Sequence, residues 1–350
     1  MSDMTSMERV LTTLQFKEPD RVPLFLLLSL YGAKELQLTP KEYFSNVDNI
    51  VQGQLRMQKK YRSDCYDAFF HAAVEIEAWG GEVVFVPDGP PNAGEPLIQK
   101  PDQIASLKVP SIQETPCLLK VLDATTRLHQ RAAGGIPIIG VVLSPFSAPV
   151  MQMGFEAYLK LLYFDRPRFE LLMKKNMEFC IAWANAQIKA GATAICYFDP
   201  LAAPSIIGKE QYLQTGYPIA QQVIASINAP VAVHLASAPA LPVVDEIVSQ
   251  GAKIVGFSCL DDAVKIKRAA YEKICLLGNL NGIEMANWTP EQAEQQVKQI
   301  LRQAGLGGGL ILSDNHGEIP WAVTEETLLA IAAAVERWGR YPLKWVDENE

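Results

Sequence analysis

The sequence predicts an α/β fold: a closed (β/α)8 TIM barrel with an N-terminal helical extension. Three observations lead there. Short apolar runs alternate with helical stretches along most of the 350 residues, the connections between them are short, and several runs stop at a titratable or polar side chain. The clearest is 309–320, GLILSDNHGEIP. Gly309 to Leu312 read as a buried strand that delivers Ser313, Asp314, Asn315, His316 and Glu318 at its end, and Pro320 then turns the chain into the helix TEETLLAIAAAVERW. A strand buried on both faces with such an ending belongs at the carboxyl-end rim of a parallel barrel.

Taken in order, residues 4–16 predict a first helix with Met7, Val10, Leu11 and Leu14 on one face, inside an N-terminal extension over 1–20. EPDRVP (18–23) is a turn feeding LFLLLSLY, the first strand. Helices follow around 40–60, and DAFFHAAVEIEAWGGEVVFV carries a second strand and a β-extension. Residues 87–110, rich in Pro, Gly and Asn, predict a loop excursion or lid and not a linker. Helices at 117–133, 168–190, 209–227, 240–250, 261–271 and 290–304 then each precede an apolar strand: GIPIIGVVLSPF, GATAICYFDP, APVAVHLAS, GAKIVGFSCLDD, KICLLGNLNG and GGLILSDNHG. With the two N-terminal runs this makes eight strands in one domain over 1–350. An open doubly wound sheet is the alternative, but no glycine fingerprint for a dinucleotide follows the first strand.

The net charge of −8 argues against a nucleic-acid surface. No run reaches the roughly 18 apolar residues of a membrane span. The N-terminus lacks the basic-then-apolar order of a secretion signal, which predicts a cytoplasmic protein. The six cysteines form no CxxC pair and are expected reduced, Cys180 and Cys196 in the core. Cys259 differs, ending a strand beside Asp261 and Asp262. The apolar face of LLAIAAAVERW reads as core or as a homodimer seam.

The strand ends form one face: Ser144 to Phe146, Asp199, His234, Cys259 with Asp261, Asn279 with Asn281, and His316 with Glu318. Of four histidines in the chain, two stand there; His71 lies near another strand end and His129 on a helix. A lone histidine in such a place is commonly a hydrogen-bonded core residue, but two of them with carboxylates on one rim predict a site. Asp199-Pro200 reads equally as part of a polar pocket and as a turn that stops the strand. Phe146, Phe198 and Trp321, beside the polar ends, are expected to contact substrate; other aromatics and methionines nearby are ordinary packing.

KEPDRVP, SPFSAPVMQMG, AGATAICYFDPLAAPSIIG, APVAVHLAS, LLGNLNG and NHGEIPWAVTEETLLAI resemble, in order and spacing, the uroporphyrinogen decarboxylase superfamily, from about Met7 to Arg340. The resemblance implies a barrel with its site at the carboxyl ends of the strands. It covers both decarboxylases and corrinoid-dependent methyltransferases. The decarboxylase branch places an arginine-rich RQAGR segment after its first strand, where this chain reads LLLSLYGAKEL, and an aspartate after its second, where it reads FFHAAVEIE. A polycarboxylate would find no guanidinium at the first position.

The methyltransferase branch is the closer match, through Asp199 to Pro204 and the His234 strand. Its thiol-methylating members hold zinc by His-x-Cys and a later Cys. This chain keeps His234 but has Ala236 and His316 at the two cysteine positions. What remains for zinc is His234, His316 and either Glu318 or Cys259. The expected activity is therefore transfer of a methyl group from a small methoxylated donor, aromatic by preference, or a methylamine-type donor, to the Co(I) of a separate corrinoid protein. No base-off corrinoid motif occurs in the chain, so the cobamide is expected on the partner. His316, His234, Asp199 and Glu318 are the expected catalytic groups; Phe146, Phe198, Trp321 and Asn279 the substrate contacts. Alternatives are methyl transfer from the corrinoid to a coenzyme M-type thiol, porphyrinogen decarboxylation, and a non-catalytic binding barrel.

Overall fold

Seven short apolar segments lie side by side, all parallel, in chain order: Tyr66–Asp67, Ile138–Leu143, Ala194–Phe198, Val231–His234, Ile254–Gly256, Cys275–Leu280 and Leu310–Asp314. Helices cross between successive strands, as parallel pairing requires. The computed structural model describes residues 3–347. Residues 1, 2 and 348–350, included in the single-domain reading of 1–350, lie outside the described residues.

The expected first strand closes the curled sheet without forming a full ladder. Leu24 makes one parallel bridge to Leu312, with Phe25 N donating to Leu312 O and Leu312 N to Pro23 O. On its other side Asp64 N donates to Leu24 O. Beyond that point side chains replace the neighbouring strand. Leu27 N donates to Asp314 Oδ1 at 3.1 Å and Leu30 N to Glu318 Oε1 at 3.1 Å. Buried backbone N–H groups need acceptors, and carboxylates supply them where the ladder stops.

Two apolar layers result. Strand residues facing outward, among them Val231, Val233 and Val255, pack under the helices. Those facing inward, Phe25, Ala232, Ile254, Leu277 and Ile311, fill the barrel and meet Val10 and Leu14 of the first helix, Ser6–Leu14, which plugs the amino-terminal end. A capping box of Thr5 and Glu8 starts that helix. Buried charge pins it in place. Arg9 pairs with Asp20 (2.7 Å) and Asp64 (2.6 Å), and Arg21 with Asp64 (2.7 Å) and Glu336 (2.9 Å).

Elsewhere the structure differs from expectation in local ways. VEIEAW is not β-structure: Ala73–Ala78 is a helix, and the extension that follows is a small antiparallel hairpin of Val83–Val84 with Asn92–Ala93. The helix expected over 209–227 is two, Lys209–Gln214 and Gly216–Ala225. The break lets the second pack closely on Ala202, whose Cβ would stand 3.1 Å from any Cβ at Gly216. In the last long helix, Glu325–Trp338, Leu328, Ile331, Ala332 and Val335 are buried within the chain itself. Among the described residues no helix is long and apolar enough to cross a membrane.

Candidate active site

At the carboxyl ends of the strands lies a cavity of about 250 Å³. Its wall combines apolar residues (Leu27, Phe69, Val141, Met151, Phe198) with His71, His234, His316 and Glu318. Exposed Pro90 and Asn92, from the 87–110 excursion, stand at its rim. No arginine or lysine lines it.

His234 ends its strand paired in register with Phe198, and the two rings lie 5.6 Å apart. Its neighbour on the next strand is Gly256, where a Cβ would stand 2.5 Å from His234 Cδ2; only glycine leaves the ring its place. Ala236 N donates to His234 Nδ1 at 3.0 Å. Since Nδ1 accepts, the proton of the neutral ring sits on Nε2, which is buried and without a partner. Burial, aided by His316, pushes the imidazole down to about 4, so it stays neutral.

His316 follows the same logic. Swapping the Asn315 amide oxygen and nitrogen gives each a complementary partner: the nitrogen donates to His316 Nδ1 (2.7 Å) and Leu280 O (2.9 Å), and the oxygen accepts from Cys259 N (3.1 Å). Its proton therefore also sits on Nε2, and partial burial lowers its basicity. Two neutral imidazoles of the cavity wall thus carry their protons on Nε2, the one on His234 buried and without a partner.

Glu318 is held by Leu30 N and the Ser29 hydroxyl. Burial raises its carboxyl well above the usual range despite those bonds, with Asp67 and Asp314 adding to the rise. Burial likewise pushes Asp67 up to about 7, with Asp314 contributing. These carboxyls crowd together with no cation among them, which favours protonated forms.

Other expected site residues lie elsewhere. Asp199 touches neither imidazole; its Oδ1 accepts from the Ser144 and Ser147 hydroxyls, its backbone N donates to His234 O, and burial pushes it up to about 6. Asp199 thus ends its strand with its carboxylate held by two serine hydroxyls and outside the cavity wall. Phe146 is fully buried edge-on to Tyr158 and Phe169. Trp321 packs on Tyr31 and under Lys34. Asn279 donates to Ser258 O and, with Cys259, lines a separate polar cleft. Only Phe198 of the expected substrate contacts is in the cavity wall.

Missing from the expected site was Phe69, and His71 was expected only near a strand end. They follow a strand of two residues, too short for periodicity to reveal. The polar residues of DAFFHA were the one available signal.

The zinc set does not fit this arrangement. A ligating histidine donates its other ring N–H to an acceptor, whereas His234 Nδ1 faces the Ala236 N–H and leaves Nε2 without a lone pair. Cys259 belongs to the other cleft, and among the described residues no group of three or more His, Cys, Asp or Glu side chains is arranged to hold a metal ion.

Comparison with known proteins agrees with this architecture. The sequence profile of the family described as Uroporphyrinogen decarboxylase (URO-D) matches residues 5–338. A uroporphyrinogen decarboxylase of Geobacter sp. (strain M21) is 30% identical over 270 residues, 73% of this chain and 75% of that one. One from Actinobacillus pleuropneumoniae serotype 5b (strain L20) is 25% identical over 306 residues, 84% of each. Among solved structures, a methyltransferase from Methanosarcina mazei superposes with a TM-score of 0.83 at 19% identity, covering 96% of this chain and 99% of that chain. A B12-independent methionine synthase from Shewanella sp. W3-18-1 gives 0.55 at 12% identity over 92% and 95%. Both share the fold. By sequence and by barrel, the chain belongs to the uroporphyrinogen decarboxylase family of enzymes.

Proposed function

We propose that this chain moves a methyl group from a small methoxylated donor, or a methylamine-type donor, to the Co(I) of a corrinoid carried by a separate protein. One observation carries the reading: the cavity sets two neutral Nε2–H imidazoles and a raised carboxyl among apolar walls, with no cation. A substrate with many carboxylates would be desolvated there without a countercharge, which is prohibitive. Arg9 and Arg21, the nearest-numbered guanidiniums to the first strand, are spent in buried ion pairs with Asp20, Asp64 and Glu336. That disfavours porphyrinogen decarboxylation. A thiol acceptor is disfavoured as well, since among the described residues no cysteine-rich set is arranged to hold a zinc that would lower the thiol's pKa.

A reduced corrinoid on its carrier would supply the cobalt nucleophile for the methyl carbon. The chain's part is to make the donor's oxygen a better leaving group. As the methyl–oxygen bond breaks, the oxygen keeps the electron pair, and the His234 and His316 Nε2–H groups donate hydrogen bonds to the charge that grows on it. Glu318, held protonated by burial, gives its proton to that oxygen. The carboxylate left behind is stabilised by Leu30 N–H and the Ser29 hydroxyl. Apolar walls keep competing water away.

The test is a panel of methoxyarenes and methylamines, each with the protein and cob(I)alamin, read as loss of the Co(I) absorption. Transfer from at least one donor is expected, falling roughly 100-fold or more in His234→Ala and in His316→Ala. Absence of transfer from every donor, or unchanged rates in both variants, overturns the proposal.

A further inference from the structure

His71 has no part in the mechanism above, yet it is built into the same wall. It is 4% exposed and lines the cavity, and its ring makes no hydrogen bond among the described residues; its Nδ1 is buried and unpartnered. Aromatic rings hold it instead. Phe44 lies 5.0 Å from it at 71° and Phe85 5.9 Å at 72°, both edge to face. A buried polar group without a partner is costly unless something arrives to bind it. Packing has fixed the orientation of this one in advance, so a ligand group loses little on meeting it.

The charge of the wall narrows what that group is. Burial pushes His71 down to about 4, leaving a neutral ring with one nitrogen that donates and one that accepts. His234 and His316 are neutral, Glu318 is an acid, and no lysine or arginine lines the cavity. A carboxylate or phosphate on the substrate would have no countercharge. A hydroxyl both donates and accepts, and so satisfies an imidazole in either tautomer.

We propose that His71 is a specificity-determining residue, and that the donor is a small uncharged methoxyarene carrying a second hydrogen-bonding substituent, a hydroxyl by preference, which His71 binds while its methoxy oxygen faces the Nε2–H pair. This rests on the methyl-transfer reading for the identity of the methoxy end. The contact of His71 with a neutral polar substituent is testable without turnover.

The experiment is equilibrium binding by calorimetry, with no corrinoid present. The ligands are 2-, 3- and 4-methoxyphenol, methoxybenzene and the three methoxybenzoates, tested on wild type, His71→Phe and His71→Asn. Wild type should bind the best methoxyphenol about tenfold tighter than methoxybenzene. His71→Phe should reduce that preference, taken as the ratio of the two affinities within each protein, to about twofold or less, and His71→Asn, which keeps a donor and an acceptor, should restore part of it. Methoxybenzoates should bind at least about tenfold weaker than the best methoxyphenol. A preference that survives in His71→Phe overturns the inference, as does tight binding of a methoxybenzoate, or no binding by any methoxyarene. Should His71→Phe misfold, an undiminished-to-zero comparison rests on His71→Asn, where complete loss of the preference contradicts the hydrogen-bonding role. A His71-dependent preference with no methyl transfer to a corrinoid carrier sinks the functional reading alone; transfer from donors whose binding ignores His71 sinks this inference alone.

Discussion

Replacing His234 by asparagine removes an imidazole that the barrel keeps neutral. Burial lowers its pKa from the ordinary 6.5 to about 4. The unfolded chain takes up a proton below pH 6.5, whereas the folded chain resists it until about pH 4. Stability linked to this group is therefore complete above the unfolded value and lost progressively as the pH falls toward the folded one. Proton linkage sets the loss at about 2 kcal/mol at pH 5 relative to pH 7.5.

The assay is urea unfolding of wild type and His234→Asn at both pH values. The stability difference between the two proteins should shift by about 2 kcal/mol in favour of the variant on going to pH 5. Asp67 and Asp199, raised to about 7 and about 6, act in the opposite sense. Their contribution is full below the unfolded carboxyl value and is lost as pH rises through those folded values. Both proteins share them, so they cancel in the difference. Parallel pH curves for the two proteins would refute the argument, since they would mean that the folded imidazole titrates as it does in water.

Three further outcomes follow from the same geometry. Gly256→Ala puts a methyl group 2.5 Å from His234 Cδ2, and should cost about 1–3 kcal/mol in denaturant titrations while lowering methyl transfer more than tenfold, because the ring is displaced. Glu318→Gln keeps an acceptor for Leu30 N but removes the acid; methyl transfer should drop about 100-fold or more with donor binding little changed, measured as single-turnover rate against equilibrium affinity. Asp64→Asn strips the shared partner from Arg9 and Arg21 and should destabilise by about 3 kcal/mol in urea, while donor affinity at the far end of the barrel stays as it was.

What the sequence determined by itself was the repeating order of apolar run and helix, and the polar residues at which the runs end. Hydrophobic periodicity and chain order are local properties, so the barrel, the first helix with Val10 and Leu14 on its apolar face, and the rim positions of His234, His316 and Glu318 were legible in the sequence, whereas that helix's place as a plug was not. Tertiary structure alone decided which rim residues share a cavity. Phe146, Asn279, Cys259 and Trp321 end up in packing or in other clefts, because which way a side chain at a strand end turns depends on what packs beside it. It also decided chemistry that residue names do not contain. Whether a histidine is ligand or donor depends on what its second nitrogen meets, and for His234 that is the backbone N–H of Ala236, a contact fixed by the bend that follows the strand. His71 and Phe69, just after a two-residue strand with no readable period, owe their place in the wall to the fold around them.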